Sequence, residues 1–483
     1  MNNHHYPSQL PLLIDGEWYG PEGHDTQAVI NPATEEVLAQ LPHASLADLD
    51  RALAAARRGF TTWSAMSPWA RADVMKRAAE IVTDRKAAIA AILTMENGKP
   101  LADSLGELDR VIETIIWCAE EGKRAYGRVM PPRAPGVTES TIKRPVGPVA
   151  AFAPWNFPVV LVARKLAAAL AAGCSIVIKP AEETPGACIE LARAFQDAGV
   201  PAGVINVVFG NPAQISEYLI KSPIIRKVTF TGSVPVGKLL SKMASEHLKP
   251  ATMELGGHSP VIVFDDVDVD RVARACATFK YRNAGQVCLS PNRFYVHENV
   301  HDRFVDAFTA AARALVVGNG MSPATQMGPL NNARRLHAAQ AFVADARDRG
   351  ARVAAGGSRI GTRGFFFEPT VLTGLDEQSS ILHEEPFCPV APIMSFSTID
   401  EAVAKANGVD FGLAAYAFTR SIRNAATVTE VFEAGWIGIN SFTPSLADAP
   451  IGGLKQSGVG YEGGPEGLDA YLHIKFVSQA MPV

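Results

Sequence analysis

Between residues 146 and 264, short β-rich runs alternate with helical patterns of roughly ten to fifteen residues. "VGPVAAFAP" reads as a strand, "PVVLVARKLAAALAAG" as a helix closed by Gly173, and "CSIVIKP" as a strand. The series continues with "TPGACIELARAFQDAG" (helix), "VINVVFG" (strand), "AQISEYLIKSP" (helix) and "RKVTFTG" (strand). It closes with "VPVGKLLSKMASEHL" (helix) and "SPVIVFDD" (strand). Such a repeat builds βαβ units and a parallel sheet, because parallel neighbours need a crossover long enough to hold a helix. Ligands of these sheets bind beyond the carboxyl ends of the strands. The residues just after each strand are therefore the first place to look for chemistry.

The flanks read differently. The first 140 residues are mostly helical in pattern, with helices over 70–95 and 101–124. Ser45 opens "SLADLDRALAAARRGF" as a helix N-cap, and Asp48 stands where an acid satisfies early backbone donors. The Pro/Gly-rich "GRVMPPRAPGV" at 127–137 predicts an extended connection. After residue 266 a second α/β region follows, with helices in "VDRVARACATFKYRN" and "DRFVDAFTAAARALVVG" and strands in "APIMSF", "LAAYAFT" and "WIGINS". A domain boundary is expected near 255–265, with the active site between the two regions.

Composition excludes several classes. A chain of 483 residues, 47% hydrophobic and 19% charged, is long enough for about two or three domains with large cores. The net charge of −4 argues against a general nucleic-acid binder. No apolar run is long enough for a transmembrane helix, and the first residues do not pattern as a signal peptide. Cys118, Cys174, Cys188, Cys276, Cys288 and Cys388 are scattered without a C-x-x-C pair. That disfavours zinc sites and a disulfide framework, predicts no metal, and suits a cytoplasmic chain with reduced thiols.

Neither the G-x-G-x-x-G fingerprint nor a P-loop occurs where a nucleotide site needs it. Strand ends offer other means. "IVIKPAEET" delivers Lys179 and Glu182, and a carboxylate there can accept from ribose hydroxyls and repel a 2′-phosphate. "VTFTGSVPVGK" places Gly232 and Ser233 before a helix, whose N-terminus suits phosphate. Either segment alone is equally a solvated loop. In "APWNFP", Asn156 can donate to an oxyanion or form an Asx turn. In "MELGGHSP", Glu254 is either a surface acid or, between apolar neighbours, a carboxyl with a raised pKa fit for a general base. Cys288 in "KYRNAGQVCLS" has no evident histidine partner, so a nearby cation, including a bound nicotinamide, is the expected source of thiolate stabilisation.

"PWNFP", "KPAE", "FTGS", "MELGG", "GQVC", "EEPF" and "PIGGLKQSGVG", in this order, give the chain a resemblance to the aldehyde dehydrogenase superfamily over nearly its whole length. The resemblance implies an α/β fold with a parallel-sheet NAD-binding domain (1–122 and 142–255) and an α/β catalytic domain (256–470). A small β oligomerisation extension (123–141 and 471–483) would complete a homodimer or homotetramer, and the alternation in "YLHIKFVSQ" suits a strand pairing with a neighbouring chain. It implies Cys288 as nucleophile, Asn156 and the Cys288 backbone N–H as oxyanion donors, and Glu254 as activator of the hydrolytic water. It also implies Lys179 and Glu182 on the adenosine ribose and Gly232 and Ser233 near the pyrophosphate. Trp155 and Leu255 would lie at the nicotinamide, Lys165 and Glu385 at its ribose, and Phe387 close by. Glu182 favours NAD over NADP. Cys388 stands where relatives usually carry glycine, so the backbone there must avoid positive φ or the loop shifts.

Among relatives, the chain is most similar to succinate-semialdehyde dehydrogenases. Arg282, six residues before Cys288, Arg164 before Lys165, and Ser445 of "NSFTPSLADAP" match their anion-binding positions. Two guanidinium groups and a hydroxyl suit a short aldehyde ending in a carboxylate. Phe442 and Leu446 depart from the loop expected there. Alternatives are a general aliphatic or aromatic aldehyde dehydrogenase, a CoA-acylating enzyme, which Glu254 disfavours, or a non-catalytic binding protein. Ser290 stands where some relatives carry a second cysteine, so a disulfide switch by that route is excluded.

Overall fold

A computed structural model describes residues 6–442 and 446–481. Its first sheet has eight strands, and five consecutive members are parallel, four of them read from the βαβ pattern and the fifth, Ala251–Glu254, not. In spatial order these are Ile205–Val207, Ile176–Lys179, Val149–Phe152, Lys227–Thr231 and Ala251–Glu254. Their registers align Phe152 with Lys179 and Thr231 with Glu254, so the carboxyl ends finish along one edge. Antiparallel strands close both sides. Leu12–Ile14 pairs with Ile205–Val207, and Gly458–Val459 pairs with Ala251–Glu254.

The helix Pro158–Ala172 packs within this layer with every residue buried, as its nearly uninterrupted apolar sequence requires. Proline at its first turn and Gly173 at φ 98° after its last turn set its limits. Its first free N–H groups, on Val159 and Val160, donate to the buried carboxylate of Glu107 at 2.9 and 3.1 Å. That carboxylate arrives on Leu101–Glu121, one of three N-terminal helices with Leu46–Ala65 and Pro68–Asn97. The expected start of the first is present in full: Asp48 N–H donates to Ser45 Oγ, and Ser45 N–H donates to Asp48 Oδ2.

Two expectations are corrected. The N-terminal segment is not mostly helix from its start, because Leu12–Ile14, Glu17–Tyr19, Thr26–Ile30 and Val37–Pro42 are strands. They are three to six residues long, and all but the buried Leu12–Ile14 are partly exposed, so they carry little hydrophobic period to read. The strand Ser259–Val263 does not close the first sheet. It is central to a second, seven-stranded sheet, between Pro291–His297 and Ala414–Phe418. Periodicity identifies such a buried strand but not which sheet it joins.

The second sheet presents its amino edge to the first. Cys288 lies just before Pro291–His297, and Glu385 and Phe387 lie just before Val390–Phe396. Phe157 packs against the hydrophobic cores of both layers. The segment expected as an extended connection forms the hairpin Arg128–Met130 and Val137–Pro145, and Leu472–Ala480 pairs along its outer strand from Leu472↔Pro145 to Ala480↔Val137. No described helix is long and apolar enough to cross a membrane.

Candidate active site

Two cavities meet at Cys288. The larger, about 390 Å³, is lined by Trp155, Asn156, Gly232, Ser233, Leu255 and Glu385, with Phe387, Arg334 and Arg335. The smaller, about 70 Å³, is lined by Phe157, Arg164, Glu254, Phe279, Arg282 and Glu462, with Arg110. Cys288, Thr231 and Leu255 belong to both walls. A long ligand and a small one can therefore approach the same sulfur from opposite sides.

Local geometry explains how the sulfur is held there. After the helix Val269–Tyr281 the chain turns through Asn283 (φ 47°), Ala284 (φ 54°) and Gly285 (φ 75°), all left-handed. A Cβ on Gly285 would strike the Cys388 carbonyl. Asn283 Nδ2 donates to the Asn156 carbonyl at 3.0 Å, joining the turn before Cys288 to the loop after Val149–Phe152. Asn156 Nδ2 donates to Gln286 O at 3.2 Å, and its second hydrogen remains for another acceptor.

Burial pushes the Cys288 thiol up to about 12, aided by the Glu254 and Glu385 carboxylates and opposed by Arg164. Desolvation of the sulfur exceeds the pull of the Arg164 guanidinium on its thiolate. The Glu254 carboxyl is raised well above the usual range by burial and by Glu462, with Lys165 and Arg164 opposing. Glu254 Oε1 has no hydrogen-bond partner among the described residues. Lys165 is buried, donates to Thr231 Oγ1 at 2.7 Å and is salt-bridged to Glu462.

On the larger side, Trp155 and Phe387 meet edge to face at 5.6 Å. Glu385 Oε1 accepts from Gly257 N–H at 3.0 Å, and burial lifts its carboxyl to about 7. A Cβ on Gly256 would strike the Glu385 carboxylate, and one on Gly232 would strike the Phe230 ring. Ser233 precedes the helix Val234–Glu246 without capping it through its side chain, leaving N–H groups at the cleft. These donors, glycines and aromatic faces fit a dinucleotide. Lys179 and Glu182 lie one strand away and do not line this cleft. They are salt-bridged to each other at 2.6 Å, and Glu182 also accepts from Gly210 N–H at 3.0 Å.

Phe387, not Cys388, takes the left-handed conformation (φ 46°), so the backbone at Cys388 avoids positive φ as expected. Arg282 sits with its guanidinium 5.3 Å from the Phe157 ring centroid. Ser445 lies outside the described residues. Nearby, Phe442 stacks on Phe279 at 4.8 Å.

Sequence reading missed Arg110, Glu462, Arg334 and Arg335 in these walls, and it missed the buried Lys99–Glu107 pair behind them. Lys99 Nζ donates to Glu107 at 2.6 Å and to the Asn156 carbonyl at 2.8 Å. None carries a local signal, apart from the spacing of Glu107 and Arg110 on one helix turn.

Comparison with known proteins fits this architecture. Residues 18–477 match the model of the aldehyde dehydrogenase family. The chain is 45% identical to a 4-(hydroxymethyl)benzenesulfonate dehydrogenase of Comamonas testosteroni, covering 96% of this chain and 97% of the relative. It is 42% identical to a 3-sulfolactaldehyde dehydrogenase of Pseudomonas putida, covering 96% of each. The crystal structure of a succinate-semialdehyde dehydrogenase from Burkholderia pseudomallei superposes with a TM-score of 0.96 at 42% identity, covering 98% of both chains. The chain belongs to the aldehyde dehydrogenase family and is an NAD(P)-dependent aldehyde dehydrogenase.

Proposed function

We propose that the enzyme oxidises a semialdehyde of a short dicarboxylic acid, such as succinate semialdehyde, to the acid with NAD in preference to NADP. The observation that carries this reading is Cys288 in the wall between a large cleft and a small arginine-lined one. Arg164 and Arg282 bind the carboxylate end, Ser445 assists them, and the aldehyde carbon meets Cys288.

The Cys288 sulfur attacks the carbonyl carbon, and the oxyanion of the resulting thiohemiacetal is held by the free Asn156 hydrogen and the Cys288 backbone N–H. When bound, nicotinamide dinucleotide supplies the hydride acceptor. Trp155, Leu255, Phe387, Glu385 and Lys165 hold its nicotinamide end, and Gly232 and Ser233 hold its pyrophosphate. The Lys179–Glu182 pair holds the adenosine ribose, which requires Glu182 to share its carboxylate with a hydroxyl. Glu254 takes a proton from the water that cleaves the acyl-cysteine thioester, and its raised pKa matches that task. The thiol reaches its reactive form only when its environment gains positive charge.

We read residues 1–122 and 142–255 as the dinucleotide domain, 256–470 as the catalytic domain, and 123–141 with 471–483 as the oligomerisation extension. The exposed Ile474 and Phe476 on the edge strand Leu472–Ala480 support a homodimer or homotetramer. The test is NADH formation from succinate semialdehyde and from butanal, with NADP in parallel. A large preference in kcat/KM for the semialdehyde supports the reading, and comparable rates refute it in favour of a general aldehyde dehydrogenase.

A further inference from the structure

The smaller cavity holds more positive charge than a carboxylate end requires. Arg110, from the helix Leu101–Glu121, lines it together with Arg164 and Arg282. The three guanidinium groups oppose one another: burial, then Arg282, then Glu107 in the opposite sense, then Arg164 act on the Arg110 proton, with a net lowering. Of the carboxylates near Arg110, Asp103 acts on it more weakly than Glu107 does. Glu107 has both oxygens engaged, one by Lys99 and one by the Val159 and Val160 N–H groups. Glu462 is held by Lys165, and the Glu254 carboxyl is driven toward its neutral form. Among the described residues the side chains of Arg110 and Arg282 have no hydrogen-bond or ion-pair partner. Like charges held close without such partners, as those of Arg110 and Arg282 are, cost stability unless a ligand anion joins them.

A carboxylate is planar and has two oxygens, which two guanidinium forks saturate. A sulfonate has three oxygens in threefold array, so a third fork finds an oxygen of its own. We propose that Arg110 is a third anion-binding residue and that the Arg110–Arg164–Arg282 cluster adapts the enzyme to aldehydes ending in a sulfonate. This rests on the reading of the smaller cavity as the site of an anionic substrate end.

The experiment compares three four-unit aldehydes: succinate semialdehyde, 3-oxopropane-1-sulfonate and butanal. Each is assayed with the wild type, Arg110→Gln and Arg110→Lys. The expected result is a wild-type kcat/KM for the sulfonate at least equal to that for the carboxylate. In Arg110→Gln the sulfonate-to-carboxylate ratio should fall at least tenfold, mainly through KM, with partial recovery in Arg110→Lys. A ratio does not depend on the fraction of variant that is folded. Calorimetric titration of the same proteins with propane-1-sulfonate and butanoate should show the same change in binding without turnover. An unchanged ratio in Arg110→Gln, or a wild-type enzyme that strongly prefers the carboxylate, overturns the proposal and leaves the semialdehyde reading standing. If neither anionic aldehyde outperforms butanal, the underlying reading fails as well.

Discussion

The Lys99 ammonium donates to the backbone carbonyl of Asn156 at 2.8 Å, so the loop carrying Asn156 is tied to an ion pair sealed from solvent. Asn283 donates to the same carbonyl from the turn before Cys288. One backbone oxygen thus fixes the spacing between Asn156 and the turn that leads to Cys288.

Lys99→Met should leave the Glu107 carboxylate buried without its partner and destabilise the protein by about 3–5 kcal/mol. Lys99→Met combined with Glu107→Leu should cost less than the sum of the single changes. Urea unfolding of the three variants checks this, and strict additivity would show that the pair is not coupled.

Glu254→Gln should lower kcat by roughly 10²–10⁴ and leave an acyl-enzyme visible by intact-protein mass spectrometry. Only the ionised carboxyl can accept the water's proton, and burial with Glu462 raises its pKa. Wild-type kcat should therefore climb as pH rises through that pKa, and the climb should vanish in the variant. Turnover at the wild-type rate by Glu254→Gln would assign the hydrolytic role elsewhere.

Without cofactor, alkylation of Cys288 by iodoacetamide should keep accelerating from pH 7 to pH 10, since its thiol is pushed up to about 12. Glu385→Gln should move the curve toward lower pH by removing one of the opposing charges. A plateau below pH 9 in the wild type would contradict the desolvated environment described for the sulfur.

Glu385 also predicts a pH-dependent stability. Its carboxyl lies at about 7 in the folded protein against 4.5 for the free group. A raised folded pKa favours folding below 4.5, and this contribution is lost as pH rises to about 7. Glu385→Gln, which can still accept from Gly257, should therefore gain on the wild type with rising pH. Allowing for partial exposure, the gain is about 2 kcal/mol at pH 8. Thermal unfolding between pH 5 and pH 8 reads it, and a gain independent of pH would point to packing instead.

Arg282→Ala should cost about 1.5–3 kcal/mol in kcat/KM for a carboxylated aldehyde and far less for butanal. Equal losses for both would make the stacking on Phe157 its main task.

What could be read from the chain alone was whatever repeats or ends an element. Four of the parallel strands, and with them Asn156, Glu182 and Gly232 just beyond their carboxyl ends, followed from the alternation of short apolar runs with helices, whereas the four-residue strand Ala251–Glu254 did not. Gly173 and Ser45 marked helix ends by their chemistry. Lys99, Glu107, Arg110 and Glu462 were not legible, because each matters through a partner brought near only by folding. Gly458–Val459, two residues long, has no period at all. The raised pKa of the Cys288 thiol comes from desolvation, a property of the packed interior that no local sequence pattern reports.

The pairing of Glu254 with Gly458 and the bridge from Lys165 to Glu462 give the enzyme a birth order. While the chain emerges from the ribosome, the five parallel strands can assemble once residue 254 is free, with Ala251–Glu254 as a bare edge open to stray strands. The same late segment that covers this edge also supplies the last carboxylate of the small cavity. Cover for the exposed sheet edge and the partner of Lys165 therefore arrive together, on one late stretch of chain.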